Sequence, residues 1–179
     1  LGDGFINDTF IVKTEGNTPN YILQRKNHQI FPDVPGMMDN IQRVTTHIKA
    51  KVAAAGGDPM REVLTVVPAK DGKLYHKEGE NFWAVCTFIE GSITHNVADT
   101  PRLAFMGGKG IGKFQAQLAD FTEPLAEVIK GFHNIRWRFQ QWDEALAADK
   151  AGRKAELATE IEWIESRREK MLDFWAMVE

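Results

Sequence analysis

The chain has 179 residues, of which 43% are hydrophobic and 26% charged, with a formal net charge of −3. This is an ordinary globular composition with enough apolar material for a sizeable core, and its charge gives no reason to expect nucleic acid or an anionic membrane as partner. One cysteine, Cys86, excludes an internal disulfide and favours a reducing compartment; no stretch approaches the ~18 apolar residues of a membrane helix and no signal peptide is visible, so a cytoplasmic protein is expected.

In chain order, the runs Phe5 to Val12 and Tyr21 to Asn27 are rich in β-branched and aromatic residues. Thr14-Glu15-Gly16-Asn17-Thr18-Pro19-Asn20 between them is turn chemistry, which predicts a β-hairpin. Gly2 and Gly4 open the first strand, where they let backbone N–H groups approach a bound anion; an ordinary hairpin with a glycine turn is the alternative. Apolar residues at Met38, Ile41, Val44, Ile48 and Val52 predict a helix over about 37–54, ended by Gly56-Gly57-Asp58-Pro59. Three strands are predicted at 63–67, 74–76 and 82–89. The result is an α+β arrangement: a five-stranded antiparallel sheet with one helix packed on it, followed by helices.

From Pro101 the pattern turns helical. Leu103, Met106, Ile111, Phe114, Leu118 and Phe121 form one stripe, Pro124 opens a short helix through Ile129, and 132–148 is a further helix. The last helix is predicted from Lys154 to the end. Trp137, Trp142 and Trp175 fall on helical stripes and are expected in the core. Gly107-Gly108-Lys109-Gly110-Ile111-Gly112-Lys113-Phe114 nearly spells a phosphate-binding loop, but Phe114 stands where a magnesium-binding Ser or Thr is required, and the run should lie in a helix.

Gly-Asp-Gly-Phe-Ile-Asn-Asp-Thr-Phe at 2–10, Tyr-Ile-Leu-Gln-Arg at 21–25 and Ile-Phe-Pro-Asp at 30–33 resemble the start of N-acetylhexosamine 1-kinases, members of the aminoglycoside phosphotransferase group with a protein-kinase-like fold. The resemblance continues through Phe88-Ile89-Glu90-Gly91-Ser92, Gly112-Lys113-Phe114-Gln115, Phe132-His133-Asn134 and 147–153. It implies a kinase-like small lobe over 1–95 and the first helices of a truncated helical lobe over 96–179. It implies ATP and Mg2+, with Gly2, Asp3, Gly4, Asn7, Thr9, Gln24 and Arg25 around the phosphates and the backbone of Thr87, Phe88, Ile89 and Glu90 at the adenine. A strand end followed by a loop is the plain alternative at Glu90. The acceptor is implied to be a small-molecule sugar, with Phe5, His133 and Arg136 on its side. Phe5 stands where these kinases typically have His, which leaves the sugar open.

On the strand that usually provides a phosphate-contacting lysine, this chain offers Gln24, Arg25 and Lys26. Gln24 is expected to point one way and its two basic neighbours the other, with Gln24 or Arg25 facing the nucleotide. Asp39 or Asn40 on the helix is a candidate partner for that residue, or part of a solvated face. Kinase-type chemistry further needs a His-x-Asp segment and metal-binding carboxylates. None of His28, His47, His76, His95 or His133 has Asp two positions on. Catalytic residues and metal ligands are therefore expected beyond residue 179, the chain reads as an inactive N-terminal fragment, and exposed apolar surface on its helical part would favour self-association. Relatives also bear the name mucin-desulfating sulfatase. Cys86-Thr87-Phe88-Ile89-Glu90 does not match the Cys/Ser-x-Pro-x-Arg that a sulfatase nucleophile requires, and no serine does. A kinase-fold binding module without catalysis is the non-enzymatic alternative.

Overall fold

The computed structural model describes residues 6–178. The chain divides into two compact units, Leu1–Val128 and Ile129–Glu179. In the first, strands β1 (Asp8–Val12) and β2 (Tyr21–Lys26) form the expected hairpin, with Asp8 opposite Arg25 and Val12 opposite Tyr21. Its loop is held by Thr14, whose N–H donates to Asn20 Oδ1 at 3.0 Å and whose hydroxyl donates to the Thr18 carbonyl at 2.7 Å.

Helix α1 (Val34–Ala54) begins three residues before the expected start. The Asp33 side chain caps it by accepting from the Gly36 N–H at 2.8 Å, and Pro35 sits in the first turn, where its missing N–H costs nothing. A four-residue helix α2 (Pro59–Glu62), capped by Asp58, was not expected; it turns the chain toward the sheet. Of the predicted strand 63–67 only β3 (Val66–Val67) pairs, because Val63 instead packs with Ile48 and Val52 of α1.

β4 (His76–Glu78) and β5 (Asn81–Thr87) complete an antiparallel sheet with β5 at its centre. One edge of β5 pairs with β2 from Phe82 to Thr87. Its other edge pairs first with β4 and then with β3. Val34 and Met38 of α1 pack on Val66 and Ala84 of the sheet, with Leu74, Tyr75 and Phe82 against them. The predicted five-stranded sheet with one packed helix is present, and the fold is α+β.

Helix α3 (Pro101–Leu118) starts on Thr100, whose hydroxyl accepts from Leu103 N–H at 3.2 Å. The glycine-rich run lies inside this helix, so it is no phosphate loop. A Cβ added at Gly107, Gly108, Gly110 or Gly112 would meet nothing within 4 Å. Half of the expected apolar stripe, Met106, Ile111 and Phe114, is exposed, Ile111 at 64%; Leu118 alone of the stripe joins the Ile48–Val52–Val63 cluster.

The predicted helix at 124–129 does not form. That backbone is spent on α1 side chains instead: Asn40 donates to the Ala126 carbonyl and accepts from its N–H, both at 2.9 Å, and Arg43 donates to the Pro124 carbonyl at 2.8 Å. Arg43 also pairs with Glu123 at 2.7 Å, and both His47 and Lys51 bond Asp120. Asn40, Arg43, His47 and Lys51 recur at three- and four-residue steps, so one polar stripe of α1 straps down residues 117–126.

The second unit holds α4 (Ile135–Ala148), a 3-10 turn (Lys154–Leu157), α5 (Ala158–Glu165) and α6 (Arg168–Ala176). The single last helix that the periodicity predicts is broken at Ser166 and Arg167. Both side chains donate back to the Trp163 carbonyl, at 2.9 and 2.8 Å. Phe139 is the buried centre, with the Arg168 guanidinium 4.5 Å above its ring. Arg168 is clamped by Asp143 and Glu165, whose hydrogen bonds raise its pKa still further and hold both carboxyls below their ordinary range. Trp137, Trp142 and Trp175 are half-buried. Trp163 is 56% exposed, with the Arg167 guanidinium stacked 3.8 Å from its ring centre.

Candidate functional site

Directly opposed residues of an antiparallel sheet share a face, and successive rows on that face lie two residues, about 7 Å, apart. The face turned toward α1 therefore reads in three rows. The first holds Ile11, Ile22, Cys86 and Val66; the second Thr9, Gln24 and Ala84; the third Lys26 and Phe82. Helix α1 covers the Val66, Ala84 and Phe82 side. Over β1 and β2 the face stays accessible, with Ile22, Gln24 and Thr9 half-buried and Ile11 exposed. The molecule thus presents an apolar row at one end and a polar network at the other.

That network is a short chain of hydrogen bonds. The Lys26 ammonium donates to Gln24 Oε1 at 2.6 Å, and Gln24 Nε2 donates to Thr9 Oγ1 at 3.0 Å. Lys26 is buried, and among the described residues no carboxylate pairs with it. Burial pushes its pKa below the ordinary amine value, opposed by the neighbouring Cys86 thiol. Burial likewise raises the Cys86 pKa, opposed by Lys26. The expectation that Gln24 points away from both basic neighbours is corrected here. Positions two apart on a strand share a face, so Lys26 goes with Gln24, and Arg25 alone faces the other side. There Arg25 Nε donates to Asp8 Oδ2 at 2.7 Å, both side chains being half-exposed.

The remaining expected residues fall as follows. Asn7 Oδ1 accepts from Asn27 N–H at 3.0 Å and so fastens the chain before β1 to the end of β2. Gly2, Asp3, Gly4 and Phe5 lie outside the described residues. Beside this end of the sheet is a hollow of about 330 Å³ lined by Ile6, Asp8, Arg25, Lys26, His28 and Asn81, among others. Asp39 pairs with Arg43 at 3.6 Å and Asn40 with Ala126, and neither contact leads to β2.

At the other end of the sheet, Thr87 N–H donates to the Thr65 carbonyl at 2.9 Å and Phe88 N–H to the Asn20 carbonyl at 2.8 Å. Glu90 is held twice, its carboxylate by Asn20 Nδ2 at 2.7 Å and its carbonyl by Arg61. The Ile89 carbonyl accepts from Ser92 Oγ at 2.9 Å. Among the described residues, the N–H groups of Ile89 and Glu90 have no partner. Tyr21, opposite Thr87, and Arg25, opposite Asp8, are four residues apart on β2, about 13 Å. The loop at Glu90 and the start of β1 thus lie at opposite ends of the sheet.

His133 and Arg136 belong to the second unit. His133 has φ +61, packs edge-on against Phe132 with ring centres 4.1 Å apart, and precedes the Asn134 cap of α4. It lines a hollow of about 440 Å³ with Ile135, Arg167, Lys170, Met171, Phe174 and Trp175. Among the described residues no three His, Cys, Asp or Glu side chains converge as a metal site. Likewise, no helix there is long and apolar enough to cross a membrane. Sequence reasoning missed Ile11, Ile22, Cys86 and Lys26. The signal was present: counting in twos from Gln24 gives Ile22 and Lys26, and pairing across the hairpin then gives Ile11. Against models of protein families, residues 1–178 match the one described as APH, phosphotransferase enzyme family.

Proposed function

The chain belongs to the phosphotransferase enzyme family, and from that premise we propose that it is the nucleotide-binding part of an ATP-dependent sugar kinase. The observation that carries the reading is the α1-facing side of the sheet, with an apolar row beside Glu90 and a polar network toward the start of β1. The adenine would rest on Ile11, Ile22 and Cys86, with the N–H groups of Ile89 and Glu90 as its hydrogen-bond donors. The phosphates would run toward Thr9 and Gln24, and on the resemblance toward Gly2, Asp3 and Gly4. ATP supplies the phosphoryl group; the chain's own residues bind, align and neutralise rather than react covalently. Such transfer ordinarily uses Mg2+, and among the described residues no three His, Cys, Asp or Glu side chains form a grouping that would hold it.

The proposed acceptor is the anomeric hydroxyl of an N-acetylhexosamine or a similar sugar, with Phe5, His133 and Arg136 on its side; this rests on the resemblance alone. Because the 179 residues contain no His-x-Asp segment, they are proposed to bind nucleotide without transferring phosphate. Calorimetric titration with ATP, ADP and adenosine tests the first point, and weak but saturable binding of ATP is expected. No binding of either nucleotide or nucleoside would end the nucleotide reading. ADP release with a panel of sugars tests the second. Turnover by these residues alone would refute the proposed inactivity and identify the acceptor, whereas sulfate release from a sulfated sugar without phosphoryl transfer would reverse the assignment.

A further inference from the structure

We infer that Asn20 and Arg61 are positioning residues for the nucleotide's base, acting through Glu90 rather than on the base itself: together they set where the Glu90 N–H points. This rests on the nucleotide reading above.

Strand β5 ends at Thr87, and the Phe88 N–H, donating to the Asn20 carbonyl at 2.8 Å, carries the ladder one rung further. Just past Glu90, Gly91 turns the chain with φ +67. Ile89 and Glu90 thus lie outside the regular ladder, and side chains set their direction. Those side chains come from both edges of β5. Asn20 precedes β2 on one edge, and its Nδ2 donates to the Glu90 carboxylate at 2.7 Å. Arg61, in α2, precedes β3 on the other edge, and its guanidinium donates to the Glu90 carbonyl. Each contact has one charged partner, the stronger kind of hydrogen bond.

Asn20 can grip in one orientation alone. Its Oδ1 accepts from the Thr14 N–H at 3.0 Å, and a flipped amide would set its NH2 against that N–H and its oxygen against the Glu90 carboxylate. The hairpin loop is thereby tied to Glu90, 70 residues beyond Asn20. Because a peptide unit is planar, the Ile89 carbonyl, held by Ser92 Oγ at 2.9 Å, fixes the plane that carries the Glu90 N–H. Asn20 and Arg61 fix Glu90 on the far side of that N–H. Glu90 and Arg61 are exposed and belong to neither apolar cluster packed on α1, so these bonds add little to folding and their effect falls on the loop.

The test titrates ATP and ADP, which share the base and differ in phosphates, into variants whose folding is followed by circular dichroism. Asn20→Asp, which sets carboxylate against carboxylate, and Arg61→Met are each expected to weaken both ligands by the same factor, about 2–10-fold, the span of one net hydrogen bond. Their melting temperatures should stay close to that of the wild type. Adding Glu90→Gln to Asn20→Asp exchanges donor and acceptor across the same contact and should recover the affinity, a rescue that a merely structural loss would not show. If Asn20→Asp fails to fold, Arg61→Met against Arg61→Lys, which keeps a donor, decides. Unchanged affinity in Asn20→Asp or Arg61→Met, a loss unequal between ATP and ADP, or no recovery in the double variant overturns this inference alone. Failure of the wild type to bind either nucleotide overturns the nucleotide reading beneath it.

Discussion

Replacing Met38 by Ala tests whether the α1–sheet contact is what holds the candidate face in shape. Met38 is 2% exposed and packs with Val34, Val66 and Ala84, while Met37, Ile41, Leu74, Tyr75 and Phe82 close around them. Truncating a buried Met to Ala costs about 2–5 kcal/mol through lost burial and the cavity left behind. Several neighbours here are only partly buried, and Met37 is unbranched and free to shift into the gap, which places the expected cost at about 3 kcal/mol. Against a total of about 5–15 kcal/mol for a domain, that is a large share. At about 1–3 kcal/mol per molar urea, the unfolding midpoint should fall by roughly 1–3 M with an unchanged slope. Met38→Leu, which conserves volume, should cost less than about 1.5 kcal/mol. Urea titration followed by circular dichroism reads both. A Met38→Ala midpoint within error of the wild type would show that α1 does not clamp the sheet as described.

Gly131 has φ +64, and a Cβ there would lie 2.6 Å from the Trp137 ring; Gly131→Ala should therefore destabilise the second unit by at least ~1–3 kcal/mol, seen as a lowered melting temperature. Lys51 first, and then His47, hold the Asp120 carboxyl below its ordinary value of 3.8. Its contribution is present above that value and lost as pH falls through the lowered one, so amide exchange across 117–126, taken relative to the intrinsic rate at each pH, should quicken as the pH drops below the ordinary carboxyl value. Asp120→Asn should show that faster exchange already at neutral pH and depend less on acid. Cys86, half-buried with a raised pKa, should react with iodoacetamide far more slowly in the native chain than in the urea-unfolded one, and ATP should slow it further. Equal rates with and without ATP would remove Cys86 from the proposed base site.

Those features that depend on local pattern were legible in the sequence. The hairpin follows from turn residues between two β-branched runs, α1 from its three- and four-residue apolar steps, and the helical nature of 107–114 from the apolar stripe that runs through it from Leu103. What was not legible depends on distant partners. Nothing local says that Val63 belongs to a helix cluster rather than to a strand, or that residues 124–128 give up their own hydrogen bonds to Asn40 and Arg43. The polar stripe of α1 looks like a solvated face until the segment it captures, some 80 residues later, is laid against it. In the candidate site, alternation pairs Lys26 with Gln24, whereas the sequence expectation had set both basic residues apart from it. That no carboxylate among the described residues pairs with Lys26 required coordinates.

The four glycines of α3 set a different kind of expectation. Each makes a helix about 0.8–1 kcal/mol less favourable than alanine would, so together they withhold roughly 3–4 kcal/mol from one element. Since no neighbouring atom needs that empty space, their small size serves no packing requirement. Helix α3 should accordingly fray and reseal many times for each opening of the sheet, and its amides should be the first of the larger helices to exchange with solvent. Alanine at all four positions would quieten it, giving an engineer a sturdier protein from changes that touch nothing else.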